Sequence, residues 1–421
     1  MKKISVIGLG YIGLPTAAMF ASHKAQVIGV DINQHAVDTI NQGKIHIVEP
    51  ELDTIVHSAV TEGYLRATTQ PEPSDAFLIA VPTPFKGNYE PDLSHVKSAC
   101  EAIAPVLKQG DIVILESTSP VGSTEQMVQW LSRWRKDLTI ATEKSDECDI
   151  YVAYCPERVL PGQVVRELVE NDRIIGGINP VSSQKAKEVY QIFVRGELLV
   201  SNARTAEMAK LTENAYRDVN IAFANELSLI CDKLDINVWD LISLANRHPR
   251  VNILKPGPGV GGHCIAVDPW FIVNKTPEQA RLIHSARVVN DSKPDWVILQ
   301  VKNAVSKLEA LGQPKEMIKI ACFGLAFKPD IDDLRESPAL NITNKLDKLY
   351  PGQILAVEPN INVEPKSLAK TSVRMTGYEE AIQQAHLLVL LVSHKEFKEI
   401  AQHSNAQQLI IDTVGIAANQ Q

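Results

Sequence analysis

The sequence has few cysteines, no surplus of positive charge and no long hydrophobic run. Its six cysteines contain no C-x-x-C pair, which argues against a zinc site and a disulfide framework, and we expect no bound metal. The net charge of −8 argues against a nucleic-acid partner, because binding to a phosphate backbone normally needs a basic face. No stretch approaches the ~18 apolar residues of a membrane span.

The overall composition indicates a folded cytoplasmic protein with no membrane partner. Hydrophobic residues make up 45% and charged residues 22%, and 421 residues suffice for two or three domains. The opening MKKISVIGLG begins like a signal peptide. However, Gly8, Gly10 and Gly13 interrupt its apolar run, and no small-residue cleavage site follows.

The pattern along the chain predicts an α/β fold with two Rossmann-like, doubly wound domains joined by a central helical domain. Strand candidates in the first half are residues 3–9, 26–31, 76–84, 111–120 and the runs YVAYCPERV and RIIGG, with a helix over 14–23. A Gly/Pro-rich loop (255–269) separates the helical segments 204–234 and 277–311. From residue 318 the runs IKIACFGLAF, QILAVEP, HLLVLLVSH and QLIIDTVG predict a second sheet, which lacks a G-x-G-x-x-G motif.

The predicted first turn carries a dinucleotide fingerprint. Gly8-x-Gly10-x-x-Gly13 follows a strand and opens a helix, and Asp31 ends the second strand 18 residues after Gly13. The glycines allow a tight turn and close approach of a pyrophosphate at the helix N-terminus. Asp31 would accept hydrogen bonds from the adenosine ribose and repel a 2′-phosphate, so we predict NAD. FAD or another adenine ligand is the alternative.

Cys264 differs from the other cysteines because it lies in the glycine-rich loop KPGPGVGGHCIAVDP. Cys100, Cys231 and Cys322 have apolar neighbours and are expected to be buried, whereas Cys155 is a competing candidate for a reactive thiol. A thiolate that adds to an aldehyde forms a thiohemiacetal, which can release a second hydride and leave a thioester for hydrolysis. Cys264 therefore predicts a four-electron alcohol dehydrogenase.

The long segment 204–234 predicts one helix with a polar stripe. Its apolar positions step by three and four residues, and they include Met208, Leu211, Ala215, Val219, Phe223, Leu227 and Ile230. Lys210, Asn214 and Arg217 share another face. A solvated face would explain the stripe, but the helix is otherwise so apolar that we predict a stripe facing a cleft. There Lys210 could accept a proton or stabilise an oxyanion.

Eight motifs, in this order, resemble the UDP-sugar 6-dehydrogenases of the UDP-glucose/GDP-mannose dehydrogenase family. They are VIGLGYIGLP, AVPTPF, ESTSPVGST, CPERVLPG, RTAEMAKLTENAYRDVNIAFANEL, NRHPRVN, PGPGVGGHCIAVDP and CFGLAFKPDIDDLRESPA. Within that family, His263 and Ile265 around Cys264 resemble the enzymes for N-acetylated hexosamines. UDP-glucose dehydrogenases typically carry serine before the cysteine and Phe-Pro-Lys after it.

The resemblance implies an NAD domain (1–203), a central domain that forms a homodimer (204–311) and a UDP-sugar domain (312–421). Implied catalytic residues are Cys264 (nucleophile), Lys210 (acid/base), Asn214 (oxyanion and sugar contact), Asp268 (support of the cysteine), and Thr118 and Glu157 (water and proton handling). Implied NAD contacts are Gly8, Gly10, Tyr11, Ile12, Gly13, Asp31, Thr83, Thr118, Thr124 and Arg335. Implied substrate contacts are Arg158, Val159, Lys210, Asn214, Arg217, His248, Arg250, Gly261, Phe327 and Lys328, and in relatives the arginine matching Arg250 can come from the partner subunit.

The expected reaction is oxidation of C6 of a UDP-N-acetylhexosamine to the uronate with two NAD, for envelope polysaccharide synthesis. N-acetyl-D-mannosamine is the expected sugar, and UDP-GlcNAc and UDP-GalNAc are alternatives because motifs do not reveal one hydroxyl's orientation. A two-electron hydroxyacid-type dehydrogenase and a non-catalytic NAD/UDP-sugar sensor are the other hypotheses. The chain departs from its relatives at Val414, where they carry a basic residue, and we expect its tail to fray from Ala417.

Overall fold

The computed structural model of the chain describes residues 2–47, 49–145, 147–159, 162–262, 264–361 and 365–417. The chain folds into two units, residues 1–213 and 214–421. Their boundary lies inside one long helix, whereas the sequence analysis ended its first domain at residue 203. The division into three domains stays a prediction.

Strands and helices alternate through the first unit, as predicted. The strands are β1 (Lys3–Ile7), β2 (Gln26–Val30), β3 (Leu65–Thr68), β4 (Ala76–Ile79), β5 (Phe85–Lys86), β6 (Glu90–Pro91), β7 (Ile112–Leu115), β8 (Tyr151–Tyr154), β9 (Arg173–Gly177) and β10 (Leu198–Asn202). The helices are α1 (Gly13–Ser22), α2 (Gln34–Asn41), α3 (Leu52–Thr61), α4 (Ser94–Ile103), α5 (Ser123–Trp134), α6 (Val164–Glu170) and α7 (Pro180–Tyr190), and α8 (Ala203–Leu234) crosses the unit boundary.

The first sheet has the strand order β10-β9-β8-β7-β4-β1-β2-β3. All neighbouring strands from β3 to β8 are parallel, and the strand order reverses between β1 and β4. Ligands of such sheets bind outside the carboxyl ends of the strands at the reversal. The predicted doubly wound sheet is therefore confirmed, and it places the glycine turn after β1 at the ligand-binding edge.

The strand β9 corrects one expectation, because it runs antiparallel to β8. The alternation of strands and helices in the sequence predicts that RIIGG continues the parallel sheet. In its described residues, the connection from residue 155 to 172 holds one helix, the seven-residue α6, and β9 begins at the edge where β8 ends. An apolar run predicts a buried strand but not its direction, which depends on where the connection returns.

Apolar residues cover both faces of the first sheet. Ile4 and Val6 of β1 belong to one buried cluster with α1, whereas Ile7 belongs to a second cluster with α4 and α5. Successive residues of a strand point to opposite faces, so a strand that is buried on both faces needs helices on both sides. This packing explains why every residue of β1 from Ile4 to Ile7, including Ser5, is buried.

The second unit combines helices with a second parallel sheet. Its helices are α9 (Val238–Ala245), α10 (Asp268–Lys275), α11 (Arg281–Ala310), α12 (Pro338–Leu349), α13 (Tyr378–Gln384) and α14 (Ile400–His403). Its strands are β11 (Ile320–Phe323), β12 (Ile354–Val357), β13 (Arg374–Met375), β14 (Leu387–Leu390) and β15 (Leu409–Asp412). The order β13-β12-β11-β14-β15 is parallel throughout and confirms the second Rossmann-like sheet. The sequence analysis missed the edge strand β13, which has only two residues.

The helix α8 does not bury its apolar stripe along its whole length. Leu211 and Ala215 are buried, but Phe223 is 53% exposed and Ile230 is 45% exposed. Within the single chain, the second half of this helix therefore leaves part of its apolar stripe exposed. None of the described helices combines the length and the apolar composition that crossing a membrane requires.

Candidate active site

The turn between β1 and α1 has the shape that a dinucleotide pyrophosphate requires. Gly8 has φ +91°, and a Cβ there would lie 2.7 Å from the Ala80 carbonyl oxygen. A Cβ on Gly13 would lie 1.8 Å from the Gly8 carbonyl oxygen, so α1 packs here only because residue 13 has no side chain. A Cβ on Gly10 would meet no described atom within 4 Å. Gly8 thus forms the tight turn, Gly10 leaves room for the ligand to approach, and Gly13 allows the helix to pack closely.

Asp31 follows β2 directly and is held beside this turn. Its Oδ2 accepts the Leu9 N–H at 2.8 Å, and its Oδ1 accepts the Asn33 N–H at 2.9 Å. A carboxylate has about four lone-pair sites, so both oxygens can still accept ribose hydroxyls. Its negative charge disfavours a 2′-phosphate. The glycine turn and Asp31 together fit NAD.

Thr83 and Thr118 follow neighbouring strands, β4 and β7, at the same edge of the sheet. The Thr83 hydroxyl donates to the Thr118 carbonyl oxygen at 2.5 Å, and both residues are half-buried. The strand β4 pairs with β1, which ends at the glycine turn. The structure therefore places these two predicted cofactor residues together, at the carboxyl end of the strand next to the turn.

Thr124, by contrast, is fully buried in the first turn of α5. Its hydroxyl and its N–H donate to Oε1 of Glu207 at 2.6 and 2.8 Å, and the Gly122 N–H donates to Oε2 at 2.6 Å. Glu207 thus caps the N-terminus of α5, where a negative charge is favourable. The sequence analysis missed Glu207. Because the Thr124 hydroxyl proton is committed to it, an NAD contact would have to use another atom of Thr124.

Glu157 forms a buried ion pair at the carboxyl edge of β8. The antiparallel register pairs Ala153 with Gly177, and its continuation places Glu157 opposite Arg173. Arg173 Nη1 lies 2.5 Å from Glu157 Oε1, with both side chains more than nine-tenths buried. Burial raises the pKa of Glu157, while Arg173 and Lys210 oppose the rise. The sequence analysis missed Arg173, because its place beside Glu157 depends on the direction of β9.

Three predicted substrate residues of the first unit, Arg158, Val159 and Lys210, lie near Glu157 in the sequence or in the fold. Arg158 Nη2 is 2.8 Å from Glu213 of α8, and Arg158 Nη1 donates to the Asp172 carbonyl oxygen at 3.1 Å. Lys210, one turn before Glu213, is half-buried, and its positive charge lowers the pKa of Glu157. Val159 is half-buried as well. The first unit therefore groups the carboxylate of Glu157 with the basic side chain of Lys210.

Hydrogen bonds connect three of the predicted catalytic residues in the second unit. Asn214 Nδ2 donates to Asp268 Oδ2 at 2.5 Å, and the Asp268 N–H donates to the Cys264 carbonyl oxygen at 2.8 Å. Asp268 is 3% exposed and is the first residue of α10, although the sequence analysis placed it in a loop that ran to Pro269. A carboxylate and a proline both suit the first helical turn. Cys264 itself is half-buried.

The glycines before Cys264 pack against the segment that contains Phe327 and Arg335. A Cβ on Gly261 would lie 2.7 Å from the Phe327 Cβ, and one on Gly262 would lie 2.9 Å from the Phe327 ring. The Gly262 N–H donates to the Arg335 carbonyl oxygen at 3.1 Å. The loop therefore needs glycine for close packing within the protein, and this packing brings Gly261 and Phe327, two predicted substrate residues, next to each other.

A buried polar chain, which the sequence analysis missed, holds the start of this loop. The Gly257 N–H donates to Asn225 Oδ1 at 2.9 Å, and Asn225 Nδ2 donates to Asn290 Oδ1 at 2.8 Å. Asn290 Nδ2 and Arg287 Nη1 each donate to Asp218 Oδ1 at 2.7 Å. Buried polar groups of this kind are costly unless they are paired. The available sequence signal for these hydrogen bonds was the pair of polar residues Asp218 and Asn225, which lie seven residues apart on one face of a helical segment.

The remaining predicted contacts lie mostly at the surface. Exposed residues among them are Tyr11, Arg217, His248, Arg250, Lys328 and Arg335, and Ile12 is half-buried. Arg335 Nη2 lies 2.6 Å from Asp333 Oδ2, so its guanidinium has an acidic partner within the protein. His263, which helped to identify the subfamily, lies outside the described residues. Contacts of these residues with a ligand stay predictions.

Four of the other cysteines are poor candidates for a nucleophile because they are buried. Cys100, Cys231 and Cys322 are buried, as predicted. Cys155 is also buried, and burial raises the pKa of its thiol to about 12. A nucleophilic cysteine reacts as the thiolate, so this environment keeps Cys155 inert at neutral pH. The competing assignment to Cys155 is therefore disfavoured.

The second sheet repeats the arrangement around the first glycine turn. Gly324 follows β11 with φ +96°, and its N–H donates to the Val357 carbonyl oxygen at 2.8 Å, just as the Gly8 N–H donates to Val30. Glu358 follows β12 in the position that Asp31 has after β2. Its Oε2 accepts the N–H groups of Leu325 and Ala326 at 2.7 and 3.0 Å.

Glu358 is buried against His394 rather than open to a ligand. His394 Nε2 lies 3.0 Å from Glu358 Oε2, and His394 Nδ1 accepts the Asp330 N–H at 2.9 Å. Asp330 and Glu396 offer carboxylates near the ring, but both of its nitrogens already have hydrogen-bond partners. We therefore assign the group as a hydrogen-bond network of the second unit rather than as a metal centre.

The departure at Val414 has a structural explanation. Val414 packs against the apolar cluster on one face of the second sheet. Asp412 Oδ1 accepts the N–H groups of Val414 and Gly415, and its Oδ2 accepts that of Ala417 at 2.7 Å. The expectation that the tail frays from Ala417 is thus wrong for Ala417 itself, and residues 418–421 lie outside the described part of the chain.

Three family models match the chain in succession. They are those of the UDP-glucose/GDP-mannose dehydrogenase family: the NAD binding domain over residues 2–194, the central domain over 204–292 and the UDP binding domain over 321–419. The glycine turn and Asp31 lie in the first match, Asn214 and Cys264 in the second, and Phe327 in the third.

Similar proteins and structures cover almost the whole chain. UDP-N-acetyl-D-mannosamine dehydrogenase of Yersinia pestis is 63% identical over 99% of both chains. NDP-N-acetyl-D-galactosaminuronic acid dehydrogenase of Ralstonia nicotianae is 61% identical over 99% of this chain and 96% of its own. The structure of UDP-D-ManNAc dehydrogenase from Pyrococcus horikoshii is similar with a TM-score of 0.87 and 38% identity, over 98% of this chain and 96% of the other.

Proposed function

The chain belongs to the UDP-glucose/GDP-mannose dehydrogenase family, and on that premise we propose that it oxidises C6 of UDP-N-acetyl-D-mannosamine to the uronate with two NAD. The observation that carries the proposal is the hydrogen-bonded set of Asn214, Asp268 and Cys264. A dehydrogenase that stops at the aldehyde needs no thiol. A thiol on a loop fixed by a buried carboxylate serves a reaction that continues to the acid.

In the proposed mechanism, each residue handles a proton or a bond of the substrate. When bound at the glycine turn and Asp31, NAD accepts hydride. The Lys210 amine takes the proton of the C6 hydroxyl in the first oxidation. The Cys264 thiolate then bonds to the aldehyde carbon, and the oxyanion that forms is stabilised by Asn214.

The second oxidation leaves C6 bound to the Cys264 sulfur as a thioester. A water positioned by Thr118 and Glu157 attacks that carbon, and the carbon–sulfur bond breaks. Glu157 takes the proton of the water, and the thiolate leaves as the free acid forms. Asp268 keeps Cys264 in place through the backbone and orients the Asn214 amide, since an amide that already donates to a carboxylate has a fixed orientation.

Relatives of nearly equal identity differ in the sugar that they are named for. One name contains N-acetyl-D-mannosamine and the other N-acetyl-D-galactosaminuronic acid. We therefore keep UDP-GlcNAc and UDP-GalNAc as alternative substrates. The uronate product suits envelope polysaccharide synthesis, and a reaction that uses NAD and a nucleotide sugar suits the cytoplasm.

The substrate proposal is tested with a panel of nucleotide sugars. UDP-ManNAc, UDP-GlcNAc, UDP-GalNAc and UDP-glucose are each assayed with NAD, and NADH is counted against uronate. We expect UDP-ManNAc to give the highest kcat/KM and two NADH per uronate. One NADH with accumulated aldehyde would favour a two-electron dehydrogenase, and binding without NADH across the panel would favour a sensor.

The exposed stripe of α8 supports the proposal of a homodimer. Tyr216, Phe223 and Ile230 follow one another at intervals of seven residues, which keeps them on one helix face, and all three are exposed. Apolar surface of this kind commonly marks a protein interface. Two copies of α8 that cover each other's stripe would remove it from water.

A charge in the stripe is expected to separate the dimer. In Phe223→Glu, a carboxylate would have to be buried without a partner, so we expect the mass in sedimentation equilibrium to fall from two chains to one. Leu311→Glu is the matched control, since Leu311 is 77% exposed but lies just after α11, outside the stripe. A Phe223→Glu variant that keeps the mass of two chains would contradict this interface.

A further inference from the structure

Five buried side chains form a charge cluster behind the predicted catalytic edge of the first sheet. They are Glu116, Cys155, Glu157, Arg173 and Tyr190, and all are at least nine-tenths buried. Glu116 follows β7 and precedes Thr118 by two residues, while Cys155 and Glu157 follow β8. Arg173 begins the antiparallel strand β9, and Tyr190 ends α7. Four separate segments thus bring ionisable groups to one place.

The contacts in this cluster connect the two carboxylates through Arg173 and Tyr190. Arg173 Nη1 lies 2.5 Å from Glu157 Oε1, and the guanidinium carbon lies 4.7 Å from the centre of the Tyr190 ring. The Tyr190 hydroxyl donates to Glu116 Oε1 at 2.7 Å. Two carboxylates therefore share the neighbourhood of one guanidinium in a region with little solvent.

When both carboxylates are ionised, the cluster carries two negative charges and only the one positive charge of Arg173. Among the described residues, Oε2 of Glu116 and Oε2 of Glu157 are both buried without a hydrogen-bond partner. Burial, followed by the charge of Glu157, raises the pKa of Glu116 to about 7. The pair of carboxylates thus holds one proton below neutral pH and loses it above.

We propose that Glu116 is a positioning residue for Glu157, and that the charge on Glu116 sets how strongly Glu157 holds a proton. This inference rests on the proposed function, in which Glu157 takes a proton from water. When Glu116 is neutral, the positive charge of Arg173 acts on Glu157 alone. It stabilises the ionised form of Glu157, which is then a weak base. When Glu116 is ionised, its charge offsets that of Arg173, so Glu157 becomes a stronger base.

The neighbouring charged groups agree with this assignment. Glu116 faces Cys155, Glu157, Arg173 and Tyr190, and the charge of Glu157 acts on it directly. Glu157 faces Arg173 of β9 and Lys210 of α8. Coupling between two titrating groups is reciprocal, so the effect of Glu157 on Glu116 requires an equal effect of Glu116 on Glu157.

The test is the pH profile of kcat at saturating nucleotide sugar and NAD, because hydrolysis of the thioester follows both hydride transfers. In the wild type we expect kcat to rise with pH through about 7, as the shared proton leaves. In Glu116→Gln, Glu157 titrates without its partner's charge. We expect the rise in rate to occur about one pH unit lower than in the wild type. The rate on the high-pH plateau should fall about tenfold, because Glu157 is then a weaker base.

Two further variants separate this effect from general damage. Tyr190→Phe removes the hydrogen bond that favours ionised Glu116, so the rise should move up by about half to one pH unit, opposite to Glu116→Gln. Asp111→Asn is the matched control, because Asp111 is a buried carboxylate at the other end of β7. We expect it to change the melting temperature but not the position of the rise.

The outcomes distinguish the inference from its premise. If Glu116→Gln folds and its rise stays at the wild-type pH, or if it moves in the same direction as in Tyr190→Phe, the inference is wrong. If Glu116→Gln fails to fold, the shift in Tyr190→Phe decides alone. If Glu157→Gln retains full turnover to uronate, Glu157 handles no proton, and the proposed function fails in that step.

Discussion

Replacement of Cys264 by serine is expected to stop the formation of uronate. A serine hydroxyl is a far weaker nucleophile than a thiolate at neutral pH, so the aldehyde is not captured and gives up no second hydride. We expect the rate of uronate formation to fall by at least about a thousandfold, with no more than one NADH per sugar consumed. Quantification of NADH, aldehyde and uronate in the same reaction provides the measurement.

Cys148→Ser is the matched control for this variant. Cys148 is also a half-buried cysteine, but it belongs to the first unit and not to the glycine-rich loop. We expect two NADH per uronate and near wild-type rates from it. Steady turnover of Cys264→Ser to the free acid would show that the covalent step is wrong.

Removal of the amine in Lys210→Ala is expected to lower kcat by about 10²- to 10⁴-fold, the usual contribution of a general acid–base residue. KM for the nucleotide sugar should change much less. The same variant should raise the pKa of Glu157, because the charge of Lys210 lowers it. The pH at which kcat rises should therefore move upward, a shift that loss of stability alone would not produce.

Lys233→Ala is the control on the same helix, since Lys233 is an exposed lysine in the last turn of α8. It should behave as wild type in kcat and in the pH profile. A small primary amine added to Lys210→Ala tests the role further, and partial recovery of kcat is the expected result. Equal activity of Lys210→Ala and wild type would remove Lys210 from the mechanism.

The first sheet and its cofactor turn were predictable because their signals are local. The spacing of Gly8, Gly10 and Gly13 between a strand and a helix already defines the turn, and Asp31 ends the next strand. The direction of β9 was not predictable. RIIGG is equally apolar in either direction, and only the return of the chain after α6 decides how it pairs with β8.

The candidate residues of the two units differ in the same way. Cys264 and Asp268 are four residues apart in an unusual loop, so the sequence revealed them together. Glu116, Arg173 and Tyr190 belong to separate segments, and each resembles an ordinary residue in its own segment. Their grouping depends on the sheet order and on one antiparallel strand, which residue spacing does not express.

The stripe on α8 shows another limit of sequence patterns. Apolar residues at intervals of three and four predict a buried helix face. The pattern is the same whether that face packs against the same chain or against a partner chain. Leu211 is covered within the chain and Phe223 is not. Periodicity identifies the face, but the structure of the single chain is needed to find which part of it is left exposed.

The paired positions of Asp31 and Glu358 make the two sheets a natural comparison in protein engineering. The same backbone turn carries an acidic residue in both, but Glu358 is engaged by Leu325, Ala326 and His394. A redesign of the second sheet for dinucleotides would first have to release Glu358 from His394. A redesign that gives Asp31 a histidine neighbour would test whether one buried partner is enough to prevent dinucleotide binding at the first glycine turn.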